Sequence, residues 1–316
     1  MAAFVDGSGS APVPSVCTRT DGVRLLYPGA VNAVFGDPEG GKTWLALAAA
    51  VEVLQDTEGR VLLIDLDHNG PQAIWERLSA LGADGDVIKH RGRFRYIQPD
   101  SSMELDDIVR DMRDWRPTFV CVDSMGELLP LFHAKSNDSD DFTRVNRTVL
   151  RPFARTGATV LYVDHLSKGV ESRNYGASGT HAKYRAVDGS YLRVTMKDPF
   201  ARGQGGSAHL TVRKDRHGSL REFCSQARDN TGEQYAGLFT LTDDGGRLTW
   251  AIHAPREGEQ IPTLKAPSSN VDDWVQKIAA LDPPAKSGND AHRRLGGKKA
   301  DLLAAYKQYC GLSEAA

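Results

Sequence analysis

The residues whose types and spacing could do chemistry begin at Gly36-Asp37-Pro38-Glu39-Gly40-Gly41-Lys42-Thr43, which fits the phosphate-loop pattern G-x4-G-K-[ST]. Glycines in such a loop let backbone N–H groups turn inward around an anion, and a helix starting there aims the positive end of its dipole at the same point. Lys42 is then placed to reach the β- and γ-phosphates and Thr43 to ligate magnesium. Trp44, the next residue, completes the expected nucleotide-binding set. The pattern predicts a site for a nucleoside triphosphate.

A magnesium ion on Thr43 needs a fixed carboxylate near its water shell, and Asp123, at the end of an apolar run, is the expected partner. Asp65 and Asp67 close another apolar run. Either can orient or deprotonate an attacking water; Asp67, further past the run, is the expected catalytic carboxylate, and Asp65 is left to cap or hold the turn. His165 follows a third run, where it either contacts the γ-phosphate or attacking water or serves structurally.

Two basic groups lie further along. Residues 167–185 carry Lys168, Arg173, Lys183 and Arg185 among tyrosines and glycines, a mixture that suits a nucleic-acid strand or a solvated surface loop. Lys214 and Arg216, two apart, share a face if they sit on a strand. They read either as cations that reach a neighbouring subunit's nucleotide or as a charged strand edge that blocks aggregation.

These residues need a frame. Val31–Phe35, Val61–Ile64, Phe119–Val122 and Val160–Val163 read as buried strands that end in glycine or polar residues. Helices are predicted after the phosphate loop, over Gln72–Leu81 behind the Asn69-Gly70-Pro71 turn, and up to Trp115 behind the capping box of Ser101 and Glu104. The fold class that follows is α/β, a doubly wound, mostly parallel sheet with its site at the carboxyl ends of the strands. Beyond residue 185, shorter alternating segments predict antiparallel hairpins that extend the sheet. Residues 1–20 read as a flexible tail, 21–253 as the main domain, and 254–270 as a linker. Residues 271–316 read as a small helical domain, whose Arg293, Arg294, Lys298, Lys299 and Lys307 around Gly296-Gly297 suggest a helix-turn-helix or a solvated basic face.

Composition narrows the classes. The 316 residues are 40% hydrophobic and 25% charged, with a net charge of −2, so nucleic-acid contact would have to come from local patches. Four scattered cysteines fit neither a metal site nor a disulfide framework. No apolar run is long enough to span a bilayer and no secretory signal is evident, so a cytoplasmic protein without membrane contact is expected.

Together these residues resemble the RecA-like ATPases, most closely the plasmid RepA-type and DnaB-type hexameric replicative helicases, over about residues 20–253. The shared pattern includes Asp65-Leu66-Asp67-His68 ahead of Arg77-Leu78-Ser79-Ala80-Leu81-Gly82. The resemblance implies ATP and Mg2+ as cofactors, Walker A at Gly36–Thr43 and Walker B at Asp123. It further implies a sensor at His165, a trans-acting pair at Lys214 and Arg216, and a DNA-facing loop at Gly176–Gly179 with Lys183 and Arg185. It also implies a homo-oligomeric ring, a hexamer in this family, acting on single-stranded DNA. A glutamate is usual where this chain has Asp67, one methylene shorter, so either slow hydrolysis or a displaced base is expected, and an ATP-switched DNA-binding or loading protein or a recombination ATPase stands as the alternative.

Overall fold

The computed structural model describes residues 11–166, 181–201, 204–225, 232–245, 247–259, 271–296 and 299–313. Val16–Thr18 (β1) and Arg24–Leu26 (β2) form a small antiparallel hairpin. The expected tail over residues 1–20 therefore ends sooner. Cys17 is buried, and the Thr18 amide and hydroxyl both donate to Glu52, at 2.9 and 2.7 Å. Three residues, two of them apolar, carry too little periodicity to be read as a strand.

The apolar runs become Val31–Gly36 (β3), Val61–Asp65 (β4), Phe119–Asp123 (β6) and Thr159–His165 (β7), parallel to one another and buried along nearly their whole length. Phe94–Ile97 (β5), only partly buried, joins as the outer strand beyond β4. Ser190–Ala201 (β8) runs parallel to β3, and from it Gly205–Asp215 (β9), Gln234–Asp244 (β10) and Arg247–His253 (β11) continue antiparallel. The nine-stranded order is β11-β10-β9-β8-β3-β7-β6-β4-β5. The fold is α/β, doubly wound, with antiparallel hairpins extending a parallel centre.

Successive residues of a strand face opposite ways, so each face has its own core. Val34, Leu63, Cys121 and Leu161 pack on Lys42–Gln55 (α1) and Pro71–Ala80 (α2), with the short Gly85–Lys89 (α3) beside them. Phe35, Ile64, Val122 and Tyr162 pack on the other side. There lie Ser102–Trp115 (α4), Met125–Leu131 (α5), Ser139–Val145 (α6) and Arg151–Arg155 (α7), the last two joined through a π-helical turn, and His181–Ala186 (α8). The capping box at α4 is present but offset. Ser101 Oγ accepts the Glu104 amide at 3.2 Å, while Glu104 accepts from Asp100 one residue further out.

The chain divides into two compact units between Ile261 and Pro262. In the second, Val271–Ala279 (α9), Gly288–Leu295 (α10) and Lys299–Ser313 (α11) enclose Ile278, Ala291, Leu302 and Ala305. Arg293 is exposed, whereas Arg294 bonds the carbonyls of Pro283 and Asp282 and so braces the turn before its own helix. Among the described residues no helix is long and apolar enough to cross a membrane.

Asn32 shows how the parallel centre is keyed. It is fully buried within β3, accepts the amides of Tyr27 and Ser190 at 3.0 and 2.9 Å, and donates to the carbonyls of Tyr27, Ala30 and Val160. Asn32→Leu would strand those buried groups, and a loss of about 2–4 kcal/mol is expected in urea unfolding. A loss below ~0.5 kcal/mol would show that the network contributes little.

Candidate nucleotide site

The phosphate loop leaves the end of β3 and enters α1 at Lys42. Gly41 has φ 88° and Glu39 φ 59°, both left-handed, and no side chain caps the helix start, which leaves its first N–H groups open to an anion. Lys42 Nζ donates to the Asp37 carbonyl at 2.6 Å. Burial pushes its pKa down, partly offset by Asp123, Asp37 and Asp67. One carbonyl satisfies only one of three ammonium donors, which leaves capacity for phosphate oxygens.

Thr43 Oγ1 donates to Asp123 Oδ2 at 2.8 Å, joining the first turn of α1 to the end of β6. The other carboxylate oxygen of Asp123 is buried and has no hydrogen-bond partner. Burial, with Asp67 and Asp65 nearby, pushes the Asp123 carboxyl up to about 6, against the opposing Thr43 hydrogen bond. An orphaned buried carboxylate oxygen beside a hydroxyl is a donor set that suits a hydrated divalent cation, and these two residues could hold magnesium.

The two acids after β4 separate clearly. Asp65 is buried and accepts from the Asn69 and Gly70 amides, Asn69 Nδ2, Tyr96 Oη and Gln98 Nε2, over 2.7–3.3 Å. It holds the β4–α2 turn and has no free face. Asp67 is exposed, facing the ends of β6 and β7. Its Oδ1 accepts Ser124 Oγ at 2.6 Å, and its Oδ2 lies 3.8 Å from His165 Nε2, an ion pair when the imidazole is protonated and too long for a hydrogen bond. His165 beside it, then Ser124, hold the Asp67 carboxyl below the usual carboxylate range. His165 sits in register with Gly36, so the strand pairing carries the imidazole to the phosphate loop.

A family model described as an AAA domain matches residues 5–171, from before β1 through the end of β7. The chain belongs to the AAA-domain family. It is an ATPase-type P-loop fold, and the match covers every residue of the site just described. No curated protein matches the chain with significance.

Beside the loop of this AAA domain opens a cavity of about 730 Å³, lined by Trp44, Trp75, Arg77, Phe200, Leu241 and Leu248. The Arg77 guanidinium lies over the Trp44 ring at 5.5 Å and donates to Asn69 at 3.0 Å. Trp44 thus lies at the cavity wall, next to the expected triphosphate site. Aromatic and aliphatic side chains with Arg77, Glu76 and Asp243 among them make a lining that could take a heterocyclic base.

The basic residues fare differently. Lys183 is buried, and its ammonium bonds Asp164 at 2.7 Å, so the expected nucleic-acid contact is corrected: inside the core the charge answers an acid. Arg185 on the same helix is exposed. Lys168, Arg173 and the Gly176–Gly179 segment lie outside the described residues. Lys214 and Arg216 do not project together. Lys214 points inward to backbone carbonyls, while Arg216 is exposed and, among the described residues, its guanidinium has no hydrogen-bond partner. The strand ends at Asp215, so the two-residue alternation that would align them stops between them. Ser124 and Phe200 escaped sequence reasoning. Ser124 had a signal in its position next to Asp123; Phe200 reaches the loop only through the β8–β9 hairpin.

In metal-free protein, the Asp123 pKa lies above its unfolded value of 3.8, so its stabilising contribution is complete below about pH 4 and is lost as pH rises through about 6. Asp123→Asn escapes that loss. In chelator at pH 8 the variant is expected to be more stable than the parent by up to about 3 kcal/mol, with the difference vanishing near pH 4, while magnesium-dependent nucleotide binding falls. Parallel stability–pH curves for the two proteins would contradict the assignment.

Proposed function

We propose that the chain is an ATP-hydrolysing motor on single-stranded DNA, of the RepA-type hexameric helicase kind. The observation that supports it most is the convergence of Thr43, Asp123, Asp67, Ser124 and His165 from four strand ends on one phosphate loop. In this reading the loop N–H groups and Lys42 hold the β- and γ-phosphates, and the base lies in the cavity walled by Trp44, Arg77 and Phe200. Thr43 and Asp123 would hold a magnesium ion, which when bound would supply positive charge beside the phosphate oxygens. Asp67, fixed by Ser124, orients the attacking water, and His165 stands close enough to respond to the γ-phosphate.

The motor half is supported by Arg216, an exposed arginine on a braced turn that is suited to another copy's nucleotide, and by exposed Arg185 on the helix following residues 167–180. A nucleotide between copies of a ring, with DNA drawn through shared basic loops, follows from the family resemblance. One observation favours a second reading. A carboxyl held below its usual range accepts protons poorly, so Asp67 orients water better than it deprotonates it, and a slow ATP-switched loader would use the same site.

Lys42→Ala should abolish ATP turnover, and Asp67→Asn should lower kcat by about a hundredfold or more with little change in KM. Trp44→Ala should instead raise KM. Stimulation of turnover by single-stranded DNA and a six-subunit species in mass photometry are expected for the motor. DNA-independent turnover by a persistent monomer would remove it.

A further inference from the structure

Lys214 Nζ donates to the carbonyls of Tyr184, Arg185 and Val187 at 2.7, 3.2 and 2.6 Å, and stands 5.1 Å from the Tyr184 ring centre. These carbonyls lie at the C-terminal end of α8, where backbone acceptors lack helical partners and a cation complements the dipole. Three acceptors use all three ammonium donors, leaving none for a phosphate. One turn back on the same helix, Lys183 bonds Asp164 Oδ2 at 2.7 Å, with the two side chains 3% and 2% exposed. The second oxygen of Asp164 accepts the amide of His165 at 2.8 Å. A continuous run of committed polar contacts therefore leads from Lys214 through α8, Lys183 and Asp164 to His165, whose imidazole faces Asp67.

Arg216 belongs to a different arrangement. Asp215 accepts the Leu220 and Arg221 amides at 2.9 and 3.0 Å and the Tyr27 hydroxyl at 2.7 Å, which braces the turn. The Arg216 amide bonds the Gly189 carbonyl at 3.2 Å while its side chain faces outward.

We propose that Lys214 is a positioning residue for the nucleotide site of its own copy, fixing His165 against Asp67 by capping α8, which leaves only Arg216 of the pair for the neighbouring-copy role proposed above. The kinetic part rests on the ATPase reading above; the positional part does not.

The test uses the full chain with isotope-labelled histidine, the His165 signal being identified by its loss in His165→Gln. Lys214→Met should shift the His165 imidazole resonance, Arg216→Ala should leave it in place, and Lys214→Arg should return it toward the parent position. In turnover, Lys214→Met should lower kcat by about three- to thirtyfold with KM within about twofold. Mixing with Lys42→Ala protein, whose own site is dead but whose Lys214 and Arg216 are intact, should restore activity to Arg216→Ala and not to Lys214→Met. Rescue of Lys214→Met in that mixture, or an unmoved His165 resonance in it, overturns the proposal. If Lys214→Met does not fold, Lys214→Gln, which keeps an N–H donor, is read by the same resonance. A parent protein with no turnover would defeat the ATPase reading alone, and the resonance comparison would still decide the role of Lys214.

Discussion

The contact between Thr43 and Asp123 is the constraint on which the site depends. It ties the first turn of α1 to the end of β6, across the sheet core, and it does so with a carboxylate that burial disfavours in its charged form. One oxygen is satisfied and the other is not. Such a group is costly to keep unless something else completes it. The neighbouring acids do not help, since Asp65 and Asp67 add like charge to the same region. Their own partners keep them tolerable: five donors on Asp65, and Ser124 with His165 on Asp67.

Three carboxylates within one strand-end cluster thus take three tasks from their surroundings alone. Full solvation by backbone and tyrosine donors makes Asp65 part of the turn. Partial exposure opposite an imidazole makes Asp67 available to a substrate. Burial with an unmet oxygen leaves Asp123 the least satisfied of the three. Residue type alone does not separate them; the number of donors sets Asp65 apart, and burial separates Asp123 from Asp67.

The parallel centre was legible because strands covered on both faces read as unbroken apolar sequence, and the phosphate loop because its spacing serves local backbone geometry. β5 was not legible: Phe94-Arg95-Tyr96-Ile97 is short, half-buried, preceded by Arg93 and interrupted by Arg95, and only its position at the sheet edge makes it a strand. The helices from Met125 to Arg155 were missed because Pro130 and the π-helical turn interrupt their periodicity. Among site residues, Lys42, Thr43, Asp67, Asp123 and His165 come together as their spacing suggested. Lys183 and Lys214 show the limit of reading charge as exposure. Each is turned inward by an acceptor far away in sequence, Asp164 for one and the end of α8 for the other, and no local pattern reveals that.

Gly41 carries a further consequence. A Cβ built on it would lie 2.3 Å from the Phe200 ring, and its φ of 88° already disfavours any side chain. Two separate forces therefore demand glycine there, the backbone turn and the aromatic ring that the β8–β9 hairpin lays against it. Weakened nucleotide affinity in a Gly41 variant would consequently be no proof of direct phosphate contact, because the same change would also displace the Phe200 ring. The Phe200 ring is thus a point at which the β8–β9 hairpin meets the backbone turn of the phosphate loop.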